Sequence, residues 1–334
     1  AAREAFDHGP WPTTPPAQRG AVLMKMADIL ERRVPEIAKA WCAQIGGRTT
    51  RSEGMQMGSV MGLRGIAALG ESFPWTEQKK GQMVDTAVIV REPVGVVVGI
   101  APWNAPFGIM LNKVAYALIA GNTIVMKPSP ETPLEAYIIA EAAEEAGLPP
   151  GVVNLVPADR QASDHLIHSK AIDKVSFTGS SAAGMHIASV CGAKMTRATF
   201  ELGGKSAAIV RDDFPIEAAA EILGNTITVL SGQVCAMLSR AIVTKDRHDE
   251  LAEAIAKVMK GIKIGNSDDP ETQLGPLAMK RQLERVEMYI EEGKKSGADL
   301  VTGGGRPAHL NKGYFIEPTL FANVDNKSRI AQEE

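Results

Sequence analysis

A cysteine that attacks a carbonyl carbon does so as the thiolate, and a free thiol with a pKa of about 8.5 supplies little of that form at neutral pH. In Gly232-Gln233-Val234-Cys235 the glycine permits close backbone approach to a ligand, and the small Ala236 leaves the sulfur accessible. Alone, Cys235 reads more readily as a core residue of an apolar segment. Four further clusters carry the groups that such chemistry would need. Pro102-Trp103-Asn104 places a side-chain amide after an apolar run, and Lys127-Pro128-Ser129 offers an ammonium and a hydroxyl. Gly179-Ser180-Ser181-Ala182-Ala183-Gly184 has the backbone N–H groups and the Ser180 hydroxyl to hold a diphosphate at a helix start. Glu201-Leu202-Gly203-Gly204-Lys205 sets a carboxylate beside two residues without side chains, the access that a general base and its water require. Each has an ordinary alternative: a turn asparagine, a solvated loop, a common glycine turn, a surface ion-pair partner.

The elements that must position these groups are readable from periodicity. Residues 17 to 45 carry a helical apolar stripe, beside which Cys42 is a core residue. Thr86–Val90 and Val94–Ile100 are β-branched runs parted by Arg91-Glu92-Pro93. Alternation follows: helix 107–120 ending at Gly121-Asn122, strand 123–126, a helix capped by Thr132 with Pro133 at its first position and stopped at Gly147, strand 152–156, helix 161–169, and strand 174–177. After the double glycine come strand 206–210, helix 215–229, strand 241–244 and helix 248–260. Strands alternating with helices at this pace predict an α/β protein with a parallel, doubly wound sheet, its chemical groups at strand carboxyl ends. The domain boundary falls at the double glycine, giving residues 1–202 and 203–334.

The 334 residues, 45% hydrophobic and 22% charged, suit a globular chain of about two domains. A net charge of −3 with no basic stripe argues against nucleic acid as a partner. The three cysteines (Cys42, Cys191, Cys235) make no disulfide framework and fit a reducing, cytoplasmic setting, and no metal-ligand spacing is present. Residues 93–112 are uncharged, but three prolines, three glycines and two asparagines make them a buried strand, a tight turn and a helix start rather than a membrane span. The chain opens at Ala1 without a methionine, which is compatible with a removed leader.

These clusters, in this order and spacing, resemble the aldehyde dehydrogenase superfamily, as do Leu274-Gly275-Pro276-Leu277 and Gly313-Tyr314-Phe315 with Pro318-Thr319. The resemblance implies a Rossmann-type cofactor domain, an α/β catalytic domain and extended strands used in oligomerisation, the strand pair within 83–100 among them. It implies that Cys235 is the nucleophile and that Asn104 stabilises the oxyanion. Glu201 would be the base that activates the hydrolytic water, and Lys113 would aid proton transfer near it. Trp103, Lys127, Ser129, Thr178, Gly179, Ser180, Gly203 and Glu334 would hold the cofactor.

Departures from the family pattern set further expectations. Pro130 stands where NAD-preferring relatives often have a glutamate, which removes repulsion toward a 2′-phosphate, so NADP is possible beside NAD. Ala158-Asp159-Arg160 replaces glycines beside the adenine, and Val229-Leu230 replaces an aromatic and an asparagine before the cysteine motif. The chain stops at Glu334, where the family continues, so a catalytic domain incomplete at its C-terminal end is expected, and it also lacks the family's N-terminal strands. The positions lining the family's substrate tunnel are Ala105, Gly108, Ile109, Asn112, Val229, Val234 and Ala236, mostly small and apolar. They imply a wide tunnel for medium-chain or bulky hydrophobic aldehydes. The implied activity is NAD(P)-dependent oxidation of an aldehyde to a carboxylic acid by a homo-oligomer, a dimer or tetramer. The alternatives are a dehydrogenase that passes the acyl group to coenzyme A, which Glu201 disfavours, and a noncatalytic relative.

Overall fold

The computed structural model describes residues 1–334 and divides into two compact units, residues 1–40 with 53–201, and residues 41–52 with 202–334. The first begins with helices α1 (Ala2–Asp7), α2 (Pro16–Arg32), α3 (Val34–Ile45) and α4 (Thr49–Ser72), the last two running on into or out of residues 41–52. The helical stripe expected over 17–45 is carried by two helices, interrupted at Arg33. Pro35 has no N–H for the helical ladder, and its ring crowds the preceding turn.

Strands β1 (Thr76–Lys79) and β2 (Ala87–Val90) form an antiparallel ribbon. The pair expected within 83–100 is therefore a different one, because β2 pairs with β1 while β3 (Val96–Ile100) lies elsewhere. Side-chain pattern separates the two. The β2 residues Val88, Ile89 and Val90 are exposed, whereas all five β3 residues are buried, as a strand covered on both faces must be.

From β3 the chain alternates through α5 (Pro106–Ile119), β4 (Thr123–Lys127), α6 (Leu134–Glu145), β5 (Val153–Leu155), α7 (Arg160–His168), β6 (Lys174–Gly179), α8 (Ser181–Lys194) and β7 (Arg197–Leu202). The five-stranded sheet has the order β5-β4-β3-β6-β7, with β5, β4, β3 and β6 parallel. This is doubly wound topology with β3 as its first strand. The winding reverses between β3 and β6, so the ligand crevice of such sheets falls at their carboxyl ends. Leu23, Met26 and Leu30 of α2, Phe107, Leu111, Val114 and Leu118 of α5, and Ile139 of α6 make the core against Val97, Ile124 and Met126. Each such side chain, fully buried, contributes roughly 1.5–3 kcal/mol. Thr132 does not cap α6, whose first turn is preceded by Pro133, and the buried Thr132 hydroxyl makes no hydrogen bond.

The second unit contains β8 (Ser206–Val210), α9 (Ile216–Thr226), β9 (Leu238–Val243), α10 (His248–Lys260), α11 (Lys280–Lys295), β10 (Asp299–Thr302), β11 (Leu320–Ala322) and α12 (Arg329–Gln332). Parallel β8 and β9 pack with α9 and α10 around Val210, Leu223, Leu251 and Ile255. Residues 41–52, assigned above to the first domain, belong here. Arg48 Nη1 donates to Thr272 O (3.0 Å), Thr49 N donates to Ser267 O (3.3 Å), and the Ser267 hydroxyl donates to Gly46 O.

The entrance to β3 depends on Gly95 at φ 126°. Asn122 Oδ1 accepts from the N–H groups of Val94 (2.7 Å) and Gly95 (3.0 Å), while Asp173 Oδ2 accepts from Val96 N (2.7 Å). A Cβ on Gly95 would sit 1.8 Å from Asp173 Oδ2. Gly95→Ala is accordingly expected to destabilise the first unit by about 3 kcal/mol or more, read as a lowered urea midpoint. A midpoint equal to that of the unaltered protein would show that this junction does not set the start of β3.

Candidate active site

In the first unit the chemical groups gather at strand carboxyl ends. Asn104, half-buried with Trp103 in the turn between β3 and α5, has its oxygen held by the Ala105 N–H (2.9 Å), which fixes which end of the amide donates. Lys127 ends β4 and is only 7% exposed; burial lowers its pKa, and the charge of Glu131 opposes that shift. The buried Ser129 hydroxyl donates to Glu131. Thr178 is buried and Gly179 is the last residue of β6. Ser180 caps the 14-residue α8, its oxygen accepting from Ala183 N (3.3 Å). Because that oxygen only accepts, the Ser180 O–H and the other first-turn N–H groups remain donors suited to an anion. A buried ammonium at the end of β4 and a helix N-terminus at the end of β6, on either side of β3, fit a dinucleotide lying across the switch point.

Lys113 on α5 is largely desolvated, which pushes its pKa down to about 8, with the Glu201 charge opposing and Lys174 adding to the fall. Its Nζ donates to Ser176 Oγ (3.0 Å), not to Glu201 itself. Glu201, near the end of β7, is exposed, so its carboxylate is open to water.

In the second unit, the cysteine follows an unusual turn. Leu230, Ser231 and Gly232 are all left-handed, with φ of 49°, 54° and 78°. For the two residues with side chains this costs roughly 1 kcal/mol each. Contacts to the 274–278 segment hold them there: Ser231 Oγ donates to Gly275 O (3.0 Å), and Gln233 bridges Leu230 O (2.9 Å) and Ala278 N (3.1 Å). Beyond the turn the Cys235 side chain is exposed. The other two thiols differ, since burial raises the pKa of both Cys42 and Cys191 and so makes them poor nucleophiles. In the same unit Glu334 docks on the double glycine. Its Oε2 accepts from Gly204 N (2.9 Å), and a Cβ on Gly203 would meet that oxygen at 2.5 Å.

A cavity of about 290 Å³ opens in the first unit, lined by Met55, Gly58, Ser59 and Gly62 of α4 with Gly108 and Asn112 of α5, among others. Gly108 and Asn112 were expected to line the substrate space; the α4 wall was not. The available signal was Gly54, Gly58 and Gly62, three glycines at helical spacing. Ser176 and Glu131 carry no sequence signal of their own, being single polar residues beside the Gly179-Ser180 and Lys127-Pro128-Ser129 motifs. No helix is long and apolar enough to cross a membrane, and no group of three or more His, Cys, Asp or Glu side chains could hold a metal ion.

The model of the aldehyde dehydrogenase family matches residues 1–334. The chain is 41% identical to geranial dehydrogenase of Castellaniella defragrans, covering all of this chain and 70% of that protein. It is 37% identical to betaine aldehyde dehydrogenase of Bacillus subtilis, covering all of this chain and 69% of the other. Among solved structures, an aldehyde dehydrogenase of Mycobacterium tuberculosis complexed with NAD+ superposes with a TM-score of 0.96 at 42% identity, covering all of this chain and 69% of that one.

The turn before Cys235 makes a stability prediction. Asparagine tolerates the left-handed region, so Leu230→Asn should raise Tm by about 1–3 °C while turnover is retained. A lowered Tm would mean that the half-buried Leu230 side chain contributes more by packing than its backbone loses to strain.

Proposed function

Because the chain belongs to the aldehyde dehydrogenase family, aldehyde oxidation is its reaction class, and we propose that it converts a medium-chain or bulky hydrophobic aldehyde to the carboxylic acid, with NAD as acceptor. The observation that carries this reading is the exposed Cys235 thiol on a braced, left-handed turn, in a chain whose other two cysteines are desolvated.

The Cys235 thiolate adds to the carbonyl carbon, and the Asn104 amide donates to the oxyanion that forms. When bound, the cofactor supplies the acceptor for the hydride that leaves this carbon, and the acyl group remains on Cys235 as a thioester. Glu201 takes a proton from water, the hydroxide attacks the thioester, and the acid departs as the thiolate re-forms. Lys113, with a pKa near 8, receives the proton from Glu201 and returns it to solvent. Lys127, Ser180 and the first turn of α8 hold the dinucleotide, with Trp103, Ser129, Thr178, Gly179, Gly203 and Glu334 completing its surroundings. NAD is favoured over NADP because Glu131, one residue beyond Pro130, sets a carboxylate beside Ser129 that would repel a 2′-phosphate.

The substrate preference rests on the cavity between α4 and α5. Gly108 and Asn112 lie about one and two turns beyond Asn104, so the space extends away from the oxyanion donor along one helix face. At about 30 Å³ per heavy atom, 290 Å³ accommodates a substrate of roughly ten heavy atoms.

Two measurements test these assignments. Cys235→Ala should abolish turnover while cofactor affinity stays within about twofold. Glu201→Gln should keep a rapid burst of reduced cofactor but slow the steady state by about 10²-fold or more. Loss of burst and steady state in equal measure would assign Glu201 to thiol activation instead. For the cavity, kcat/KM should rise about fourfold per added methylene along a series of linear aldehydes. Gly62→Leu should remove that rise for the longer members, yet add about 0.8 kcal/mol of helix stability, since Gly62 faces open space within α4. A flat profile in the unaltered protein, or one peaking at two carbons, would remove the substrate assignment and leave the catalytic one standing.

A further inference from the structure

Lys113 reaches its place by crossing the sheet. A Cβ built on Gly99 of β3 would lie 3.6 Å from Lys113 Cβ and 3.7 Å from its Cδ, so the lysine stem rests on bare backbone there. Gly99 pairs in register with Ser176 of β6, the next strand, and the Nζ sits 3.0 Å from the Ser176 hydroxyl. One strand further on is β7, which carries Glu201. The stem therefore lies over β3 and the head over β6, within electrostatic reach of Glu201.

We infer that Ser176 is a positioning residue: its hydroxyl holds the Lys113 Nζ where it can receive the proton that Glu201 draws from water. The inference rests on the roles proposed above for Cys235 and Glu201. A hydroxyl suits a partner that changes charge, because it accepts from the ammonium and, after rotating, donates to the neutral amine. Alanine can do neither. The charged groups acting on the head are Glu201 of β7, which favours the ammonium, and Lys174 at the start of β6, which disfavours it. In this desolvated position Ser176 provides the neutral partner that keeps the ammonium form accessible.

The sign of its removal follows. Ser176→Ala takes a hydrogen bond from the ammonium more than from the amine, so the amine form persists to lower pH. Because the amine accepts the proton, the rise of deacylation rate with pH should move downward, by about one pH unit. The plateau should also fall, since the acceptor is less basic and less well held.

The experiment uses p-nitrophenyl acetate, which acylates Cys235 directly: the thiolate displaces p-nitrophenolate to give the thioester, and water hydrolyses it to acetate and free thiol. The burst reports acylation and the slow phase deacylation. In Ser176→Ala we expect full burst amplitude, a Tm within about 2 °C of the unaltered protein, and the shifted deacylation profile; Ser176→Thr should return the profile toward its original position. In a Lys113→Met background, Ser176→Ala should leave the pH profile where Lys113→Met alone puts it. An unmoved midpoint in Ser176→Ala, or a shift that persists without Lys113, overturns the inference. Absence of any burst in the unaltered protein overturns instead the assignment of Cys235 on which it rests.

Discussion

Parallel strands deliver their carboxyl ends to one edge of a sheet, and the chemistry of the first unit depends on that constraint. Once β3, β4 and β6 are in register, Asn104, Lys127 and the Thr178–Ser180 turn emerge on the same edge with no further instruction. The opposite edge is fastened separately. Asn122 and Asp173 take the backbone N–H groups that lead into β3, so the strand is anchored at its polar entrance and functional at its exit. The second unit solves its positioning differently, by bracing a strained turn with side chains instead of using a strand end.

A second theme joins both units. Lys113, Lys127 and Lys205 are all pushed by burial toward the neutral form, and each is opposed by one carboxylate: Glu201, Glu131 and Glu334 respectively. In each, desolvation outweighs the counter-charge, so the ammonium gives up its proton more readily than it would in water. Where a lysine only binds, this sharpens its response to an anionic ligand. In the proton-transfer role proposed for Lys113, the same shift brings its neutral form within reach of ordinary pH.

Much of this was legible in the sequence where local chemistry dictates local structure. The β-branched run over β3, the glycine-rich turn before α8 and the double glycine after β7 are local signals of strand, helix start and break, and the structure has those elements there. What was not legible depends on contacts distant in sequence. Nothing in Ala87–Val90 says that its partner is Thr76–Lys79. Thr132 has the chemistry of a cap, but its buried hydroxyl makes no hydrogen bond and Pro133 precedes the helix. The return of residues 41–52 to the second unit rests on Gly46, Arg48 and Thr49 meeting a segment more than 200 residues away. The strain at Leu230 likewise exists only because Gly275 and Ala278 hold the neighbouring residues.

The α4 wall has a dynamic consequence. Gly54, Gly58, Gly62 and Gly65 would each carry a Cβ into open space, so close packing does not require them. Relative to alanine they weaken the helix by roughly 4 kcal/mol in sum, and tertiary contacts must supply what propensity does not. A helix held in this way frays through local unfolding more readily than the Ala- and Leu-rich helices behind the sheet. The boundary of the cavity is thus the compliant member of its own surroundings. Its effective volume is a thermal average that grows with temperature, and admission of a bulky molecule becomes an activated event, its rate set by how often this helix breathes.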